Sequence, residues 1–519
     1  MPGPGDFATN VLLINSNVSR CARSGYGPVP PPAGLISLGG VLRDRGHAVR
    51  ICQVHSQGAA QDEASLPLVR AELEALLEGF SPDAVGVSVR NIGAARRPAD
   101  PFHLVEYYAA FYDARVVRAL RMITSAPVVM GGTAFSLEPR LYLKVAQPGY
   151  GLLGEAEETL PALLDALAAG AEPSGIPGLV RSVGDVSLAA AVPGLVGDLA
   201  AIGVGACDLV EDFRGLYYAE GGLAPILTKR GCAMNCVYCT TPFFEGRTYR
   251  YRPMNHVLDE MRAYRRAWGV RHFFFVDSTF NHPLDHAKEV CEALLASGLD
   301  AQWYTELTPA CLDDELCRLM VRSGCIGVTL GLDSCSERVL LSYGKPFGLA
   351  EIRHAMALLR AHGIPFDATV ILGGPGDTEE TFGETLAFCT EHLGDTVVRF
   401  FDGMIVTAGS PVFGVAAREG VIDPAVPYDE LVLANDFRGV KRYEYCFPHA
   451  GPGRRALIER VARACRQPRW LVTSRDYPPD PRTGELSLHP DIHVERGARP
   501  WWRGLHRKTA SEEAHATVS

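Results

Sequence analysis

The chain has 519 residues, 47% of them hydrophobic and 21% charged, which is globular composition in a length too great for one core; two or three domains are expected. A net charge of −10, with no basic stripe outside the last twenty residues, argues against a nucleic-acid partner. No apolar run reaches membrane-spanning length and Met1 is followed by Pro2 and Gly3 rather than a basic, apolar leader, so a soluble, cytoplasmic protein with no membrane partner is expected.

The first 160 residues alternate strand and helix. "VLLIN" (11–15) reads as a buried parallel strand, "GLISLGGVLRDRGH" (34–47) as a helix stopping at Gly46, "AVRICQV" (48–54) as a strand and "VRAELEALLEGF" (69–80) as a helix. "AVGVSV" (84–89) and "PVVMGG" (127–132) are strands, and "YGLLGEAEETLPALLDAL" (150–167) is strand, glycine turn and helix. That alternation predicts a doubly wound parallel sheet, with ligands beyond the carboxyl ends of its strands at "NSNVSR", "RNIGAARR", "GGTAFS" and "GEAEE". Residues 168–222, rich in Gly, Ala and Pro, read as a connector with a few short strands.

A second series starts at Pro225. The strand "PILTKRG" leads into the helix "NHVLDEMRAYRRAWG" (255–269), with Asn255 as candidate N-cap. Strands then follow at "RHFFFVD", "AQWYTEL", "IGVTLGLD", "FDATVILGG" and "TVVRFFDGMIV", with helices between them, including "PLDHAKEVCEALLASG" framed by Pro and Gly. Six strands of this kind predict a partial (β/α)6 barrel with its mouth at the carboxyl ends. Beyond residue 410 the chain is less regular, with helices expected in "YDELVLANDFRGV" and "RRALIERVARACRQ" and a polar tail. The expected domains are 1–170, a connector 171–222, 223–420, an α-rich region 421–502 and a tail 503–519. Trp470, Trp501 and Trp502 are candidates for a lid or substrate wall, with core or interface packing as the alternative.

Eleven of the fourteen cysteines are scattered singly and read as small buried hydrophobes; Cys232, Cys236 and Cys239 are clustered in "RGCAMNCVYC". Thiolates suit iron–sulfur clusters and zinc. Three of them on a four-iron cluster leave one iron open. Zinc would need a fourth ligand such as His272 or His282.

"CAMNCVYC" resembles the CxxxCx-aromatic-C loop of radical SAM enzymes, in place after the first barrel strand, and the resemblance extends over roughly 220–420. It implies that Cys232, Cys236 and Cys239 hold a 4Fe-4S cluster whose open iron binds S-adenosylmethionine, with Tyr238 near the adenine. By the same resemblance Asp277 in "FVDSTFN" meets the methionine amine and Glu306 in "YTELTP" lies at the next strand end. Asp333 and Ser334 in "GLDSCSERVL", similar to "GxESGSERVL" with Asp for the common Glu, lie near the ribose. Gly373, Gly374 and Pro375 in "ILGGPGDTEET" bring backbone against the adenine. Arg250 and Arg252 in "GRTYRYRP" clamp carboxylates or form a solvated strand edge.

The first domain is similar to the cobalamin-binding module of cobalamin-dependent radical SAM enzymes. "PPPAGLISLGGVLRDRGHAVRI" resembles "PPLGLxxLAAxLRxxGHxVxI". "VVMGGTAFSLEP" and "YGLLGEAEETL" resemble its glycine segments, with Ala156 in place of the usual second Gly. The resemblance implies a nucleotide tail lying along Gly131–Gly132 and Gly154–Glu155. No "DxHxxG" motif is present, which implies cobalamin with its base detached, and the loop beginning Arg90–Asn91 faces the lower side of the corrin. The activity implied is a C-methyltransferase of secondary metabolism: a 5′-deoxyadenosyl radical activates an unactivated carbon of a small molecule and methylcobalamin supplies the methyl group. Its electron donor would be a flavodoxin or ferredoxin. Ring contraction or closure, non-radical methylation of the tryptophan methylase type, and a non-catalytic cobalamin-binding regulator are the alternatives.

Overall fold

Val11, Leu12, Leu13 and Ile14 are apolar without alternation, so the strand they form must be covered on both faces. β1 (Asn10–Asn15) does lie inside a six-stranded sheet, with all four side chains fully buried. The computed structural model describes residues 8–16, 31–54, 66–90, 105–186, 193–211, 213, 223–407, 409–426, 429, 444–445 and 470–473. Asn91, Trp501, Trp502, both helices expected after residue 427 (but for residue 429) and the tail lie outside the described residues.

The first sheet comprises β1, β2 (Ala48–Gln53), β3 (Ala84–Ser88), β4 (Val128–Gly131), β5 (Tyr150–Leu152) and β6 (Leu179–Val180) in the order β2-β1-β3-β4-β5-β6. All pairings are parallel except β5 with β6. Its helices are α1 (Ala33–Asp44), α2 (Leu66–Leu76), α3 (Val105–Ile123), α4 (Thr133–Leu137), α5 (Pro139–Val145) and α6 (Thr159–Ala168). The chain order reverses across β1 and β3, so a crevice opens at their carboxyl ends. The sequence pattern marks no element between residues 90 and 126. There α3 forms on a short apolar patch, Val116, Val117 and Leu120, too narrow to stand out among its polar neighbours. The connector contributes β6 and three 3-10 turns.

The second sheet is all parallel. Its strands are β7 (Ala224–Ile226), β10 (His272–Phe275), β11 (Gln302–Leu307), β12 (Cys325–Asp333), β13 (Phe366–Leu372), β14 (Val397–Asp402) and β17 (Trp470–Thr473), in the order β17-β14-β13-β12-β11-β10-β7. A hairpin of β8 (Lys229–Arg230) and β9 (Arg250–Tyr251), with α7 (Thr241–Phe244) between them, follows β7. The outer helices are α8 (Met254–Trp268), α9 (Leu284–Ser297), α10 (Asp314–Arg322), α11 (Glu337–Ser342), α12 (Leu349–Ala361) and α13 (Glu379–His392). The small pair β15 (Met404–Ile405) and β16 (Glu444–Tyr445) and α14 (Pro411–Arg418) complete the elements. Asn255 lies inside α8 and does not cap it: Pro253 occupies the cap, since Pro at that point already holds a helix-compatible φ. Trp470 sits in the seventh strand, paired with Val398, and so belongs to the sheet rather than to a lid.

Alternate strand residues point outward into one apolar core, among them Phe273, Trp303, Val328, Ala368 and Val398. The opposite face carries a polar layer across four strands. Tyr304 Oη lies 2.6 Å from Thr329 Oγ1, Thr329 donates to Asp367 at 2.5 Å, and Arg399 reaches both Thr329 (3.1 Å) and Asp367 (2.6 Å). No helix among the described residues is long and apolar enough to cross a membrane.

Candidate functional site

"PILTKRG" is not one strand. β7 stops at Ile226, and Lys229–Arg230 turns away to pair antiparallel with β9. The cysteine loop therefore leaves from a hairpin lying over the mouth of the second sheet. Its backbone is held at several points: Gly231 N donates to Glu245 (3.1 Å), Ser278 Oγ donates to Gly231 O (3.1 Å), Cys232 N to Gly246 O (3.1 Å) and Val237 N to Tyr343 O (2.9 Å). Cys232 is buried, while Cys236 and Cys239 are half-buried. The eight other described cysteines are free, six of them buried and Cys311 and Cys325 half-buried.

Among the described residues no three of His, Cys, Asp and Glu converge on one point, as a single zinc ion would demand. His272 pairs with Gln302 at the first residue of β10, the end of the strand away from the mouth, and His282 Nδ1 meets Tyr249 Oη at 2.7 Å. Neither joins the thiols. Three thiols on one loop suit three irons of a cuboidal cluster.

Beside that loop the structure gathers Cys236, Tyr238, Asp333 and a residue the sequence did not single out, Lys345. Tyr238 Oη donates to Asp333 at 2.5 Å, Lys345 Nζ donates to Tyr238 Oη at 2.8 Å and to Cys236 Sγ at 3.4 Å, and Lys345 forms an ion pair with Asp333. Asp333 ends β12 at φ 61°, just past a register shift against β13. The bulge and left-handed backbone aim its carboxylate back over the mouth. Burial alone favours a neutral amine at Lys345, but Asp333 and the Cys236 sulfur outweigh it and hold the lysine above its usual pKa. Burial, then Asp333, pushes the Tyr238 phenol well above its ordinary value.

Other expected contacts are engaged elsewhere. Asp277 is fully enclosed: it accepts from Thr228 N (2.7 Å) and Oγ1 (2.5 Å) and pairs with Lys229 Nζ at 3.1 Å. Its carboxylate anchors the start of the hairpin at the end of β10. Ser334 is turned toward Thr385. The Gly373–Gly374–Pro375 turn is buried and faces inward. Gly373 N donates to Asp377 (2.7 Å), Gly374 N to Tyr343 Oη (3.1 Å), and Pro375 O accepts from Ser342 (2.7 Å). A Cβ on Gly374 would stand 2.3 Å from Tyr343 Oη, so that glycine is required by packing against Tyr343. Glu306, on the polar face of β11 two residues beyond Tyr304, is exposed.

In the first sheet a cavity of about 420 Å³ opens at the carboxyl ends of β1, β3, β4 and β5. Arg90, Gly131, Gly132, Gly154 and Glu155, expected to meet cobalamin, all line it, beside apolar walls from Leu13, Val87, Met130 and Leu152. Its volume and mixture of apolar wall and backbone suit a long organic arm, and no histidine among the described residues lines it. Arg230, Phe244 and Glu245 of the hairpin region line the same cavity, so both halves of the chain contribute to it.

Residues 226–389 match the Radical SAM superfamily and residues 22–164 the B12 binding domain. An uncharacterized methyltransferase of Pyrococcus horikoshii is 26% identical over 383 residues, covering 73% of this chain and 77% of that one. The tryptophan 2-C-methyltransferase of Streptomyces laurentii is 28% identical over 389 residues, 62% of this chain and 63% of that one. The solved structure of TsrM, a radical S-adenosylmethionine methyltransferase from Kitasatospora setae with cobalamin and a 4Fe-4S cluster bound, shares the fold with a TM-score of 0.72 at 21% identity, over 99% of this chain and 100% of that one. Carrying both matches on one fold of this kind, the chain belongs to the family of cobalamin-dependent radical SAM methyltransferases, which work with a 4Fe-4S cluster, S-adenosylmethionine and cobalamin.

Proposed function

We propose that this enzyme transfers a methyl group to a carbon of a small-molecule intermediate of secondary metabolism, with a flavodoxin or ferredoxin as electron donor. The observation that carries the reading is the shared cavity: one wall comes from the carboxyl ends of the first sheet and another from the hairpin that bears the cysteine loop. A methyl carrier held on one side then faces the chemistry generated on the other.

Cys232, Cys236 and Cys239 would hold the cluster, and Tyr238, Asp333 and Glu306 would meet S-adenosylmethionine. Arg90, Gly131, Gly132 and Gly154 would meet cobalamin. Bound together, these groups supply reductive cleavage of a sulfonium and a transferable methyl group. The chain's own contribution is position and exclusion of water. Lys345 and Asp333 form a neutral pair beside Cys236, so the loop presents no uncompensated charge to the reacting volume. The layer of Tyr304, Thr329, Asp367 and Arg399 gives the inner face of the sheet a rigid polar floor against which a substrate can be oriented.

A second reading, transfer of the tryptophan methylase type without a free radical, is kept beside it because the chain is 28% identical over 389 residues to a tryptophan 2-C-methyltransferase. Anaerobic protein loaded with iron, sulfide and hydroxocobalamin separates the two when assayed with candidate substrates, tryptophan first. Methylated product with both 5′-deoxyadenosine and S-adenosylhomocysteine supports the radical route, and product with S-adenosylhomocysteine alone selects the second. Loaded enzyme that never consumes S-adenosylmethionine overturns both.

A further inference from the structure

The segment Glu155-Ala156-Glu157 lines the cavity, yet its two carboxylates are spent on the other half of the chain. Arg250 reaches both oxygens of Glu155 with its two terminal nitrogens, each at 2.7 Å. Arg230 reaches both oxygens of Glu157 at 3.2 and 2.5 Å and stands 3.4 Å from Glu155. Ser37 Oγ donates to Glu157 at 2.9 Å, and Val196 N donates to Glu155 at 2.6 Å. The four charged side chains are at most 13% exposed. Arg230 more than offsets the burial that would otherwise favour a protonated Glu157, so that its carboxyl lies below the usual range.

Buried ion pairs add little net stability over an apolar contact of equal volume; what a forked arginine–carboxylate pair supplies is a fixed plane, distance and angle. Here the fixed geometry runs straight into the cysteine loop. Arg230 is followed by Gly231 and Cys232. Arg250 also donates to Glu245 O at 2.6 Å, and the carboxylate of Glu245 accepts from Gly231 N at 3.1 Å. Two independent contacts thus carry the position of the β5–α6 turn to the first cluster thiol.

We infer that Glu155 and Glu157, with Arg230 and Arg250, are positioning residues that set the first domain's cofactor relative to the cysteine loop, and that neither carboxylate is a cobalamin ligand. The inference rests on the two-cofactor reading above and replaces the role first expected for Glu155.

The test uses the full-length chain loaded with iron, sulfide and hydroxocobalamin, comparing wild type with Glu155→Gln, Glu157→Gln and Arg230→Lys. Three quantities are read: iron and sulfide per chain, cobalamin retained after gel filtration, and microwave power saturation of the cob(II)alamin resonance with the cluster reduced. Dipolar relaxation falls steeply with distance, so a displacement of about 1 Å, the scale at which remote substitutions disturb reacting geometry, changes the half-saturating power by about twofold. The expected result is that shift in all three variants, with cluster and cobalamin content unchanged. Loss of cobalamin by about tenfold or more, with unaltered saturation in the fraction still loaded, makes the carboxylates ligands and overturns the inference. So does a variant set indistinguishable from wild type. If Glu157→Gln does not fold because buried Arg230 keeps only its longer contact to Glu155, the double variant Glu157→Gln/Arg230→Gln removes both charges and must show the same shift. Wild type that takes up no cobalamin or no cluster fails before any variant is compared, and it is the two-cofactor reading that then falls, taking this inference with it.

Discussion

Lys345 brings a positive charge into a space whose other occupants are a carboxylate, a phenol and a thiol. A lysine in a turn after a short helix is usually a solvated surface residue, and only the fold, which seats the turn under the cysteine loop, makes it part of the site. His286 is the opposite case, a titratable group kept uncharged. Its Nε2 lies 2.9 Å from Thr228 Oγ1, its ring packs 4.6 Å from that of Tyr251, and Lys229 and Asp277 face it from the hairpin and the end of β10. Burial first, then Lys229, lowers its pKa from 6.5 to about 4, with Asp277 opposing. Between those values the unfolded chain binds a proton that the folded chain refuses, so stability is intact above pH 6.5 and is lost as pH falls toward 4. By about pH 5 the loss from this one residue is roughly 2 kcal/mol. His286→Gln therefore flattens the difference in urea unfolding free energy between about pH 7.5 and pH 5 by about that amount. Equal pH dependence in the variant and in wild type would show that the ring is not what titrates.

At the scale of elements, the turns that end strands decide what the site can hold. Gly132 follows β4 at φ 97°, and a Cβ there would stand 2.5 Å from Val89 O, at the corner that leads to Arg90. Gly132→Ala costs about 1–2 kcal/mol for the left-handed backbone alone. Relief of the clash moves the Val89–Arg90 corner into the cavity. Hydroxocobalamin bound after gel filtration should fall about tenfold while far-ultraviolet dichroism is unchanged; full retention would mean that the corner does not border the ligand. Strands such as β1 and β12 and helices such as α1 and α9 were legible in the sequence because their apolar periods are unbroken, and the cysteine loop because its spacing has few other uses; the longest helix, α3, was not, its apolar patch being too narrow. What stayed hidden depends on partners distant in the chain. Asp277 at the end of β10 was visible as a carboxylate at a strand end, but Lys229, its buried partner, lies 48 residues earlier. The glycines at 373 and 374 signalled a close approach without saying to what, and the approach is to Tyr343. The division of "PILTKRG" into β7 and β8 was equally illegible, since a short, largely buried stretch reads the same whether it continues a sheet or leaves it.

At the scale of the whole molecule, the two sheets share apolar core: one buried cluster joins Val11, Leu13 and Leu152 of the first sheet to Ile226, Phe273 and Trp303 of the second, and the paired Glu and Arg side chains add a polar tie between the same halves. The five tryptophans, Trp268, Trp303, Trp470, Trp501 and Trp502, all follow residue 222, so tryptophan emission reports mainly on the second half, Trp268 also touching Cys207 and Phe213 of the connector. Trp303 is fully buried there, with Nε1 donating to Ser323 O at 2.9 Å. A ligand that binds only the folded first half stabilises that half by about 2.7 kcal/mol at one hundred times its dissociation constant. If the halves are mechanically separate, none of this reaches the tryptophans. If the shared core and the Glu155 and Glu157 pairs tie the halves into one cooperative unit, hydroxocobalamin raises the temperature of the shift in tryptophan emission maximum, by roughly 2–5 °C for a chain of this size. The emission maximum is the quantity to follow, since the corrin absorbs light and distorts intensity. The rise should survive high salt, because forks at most 13% exposed are screened little. A tryptophan transition that stays in place while cobalamin release moves upward would show two independent units, and the coupling across these pairs would then be too weak to hold two cofactors in register.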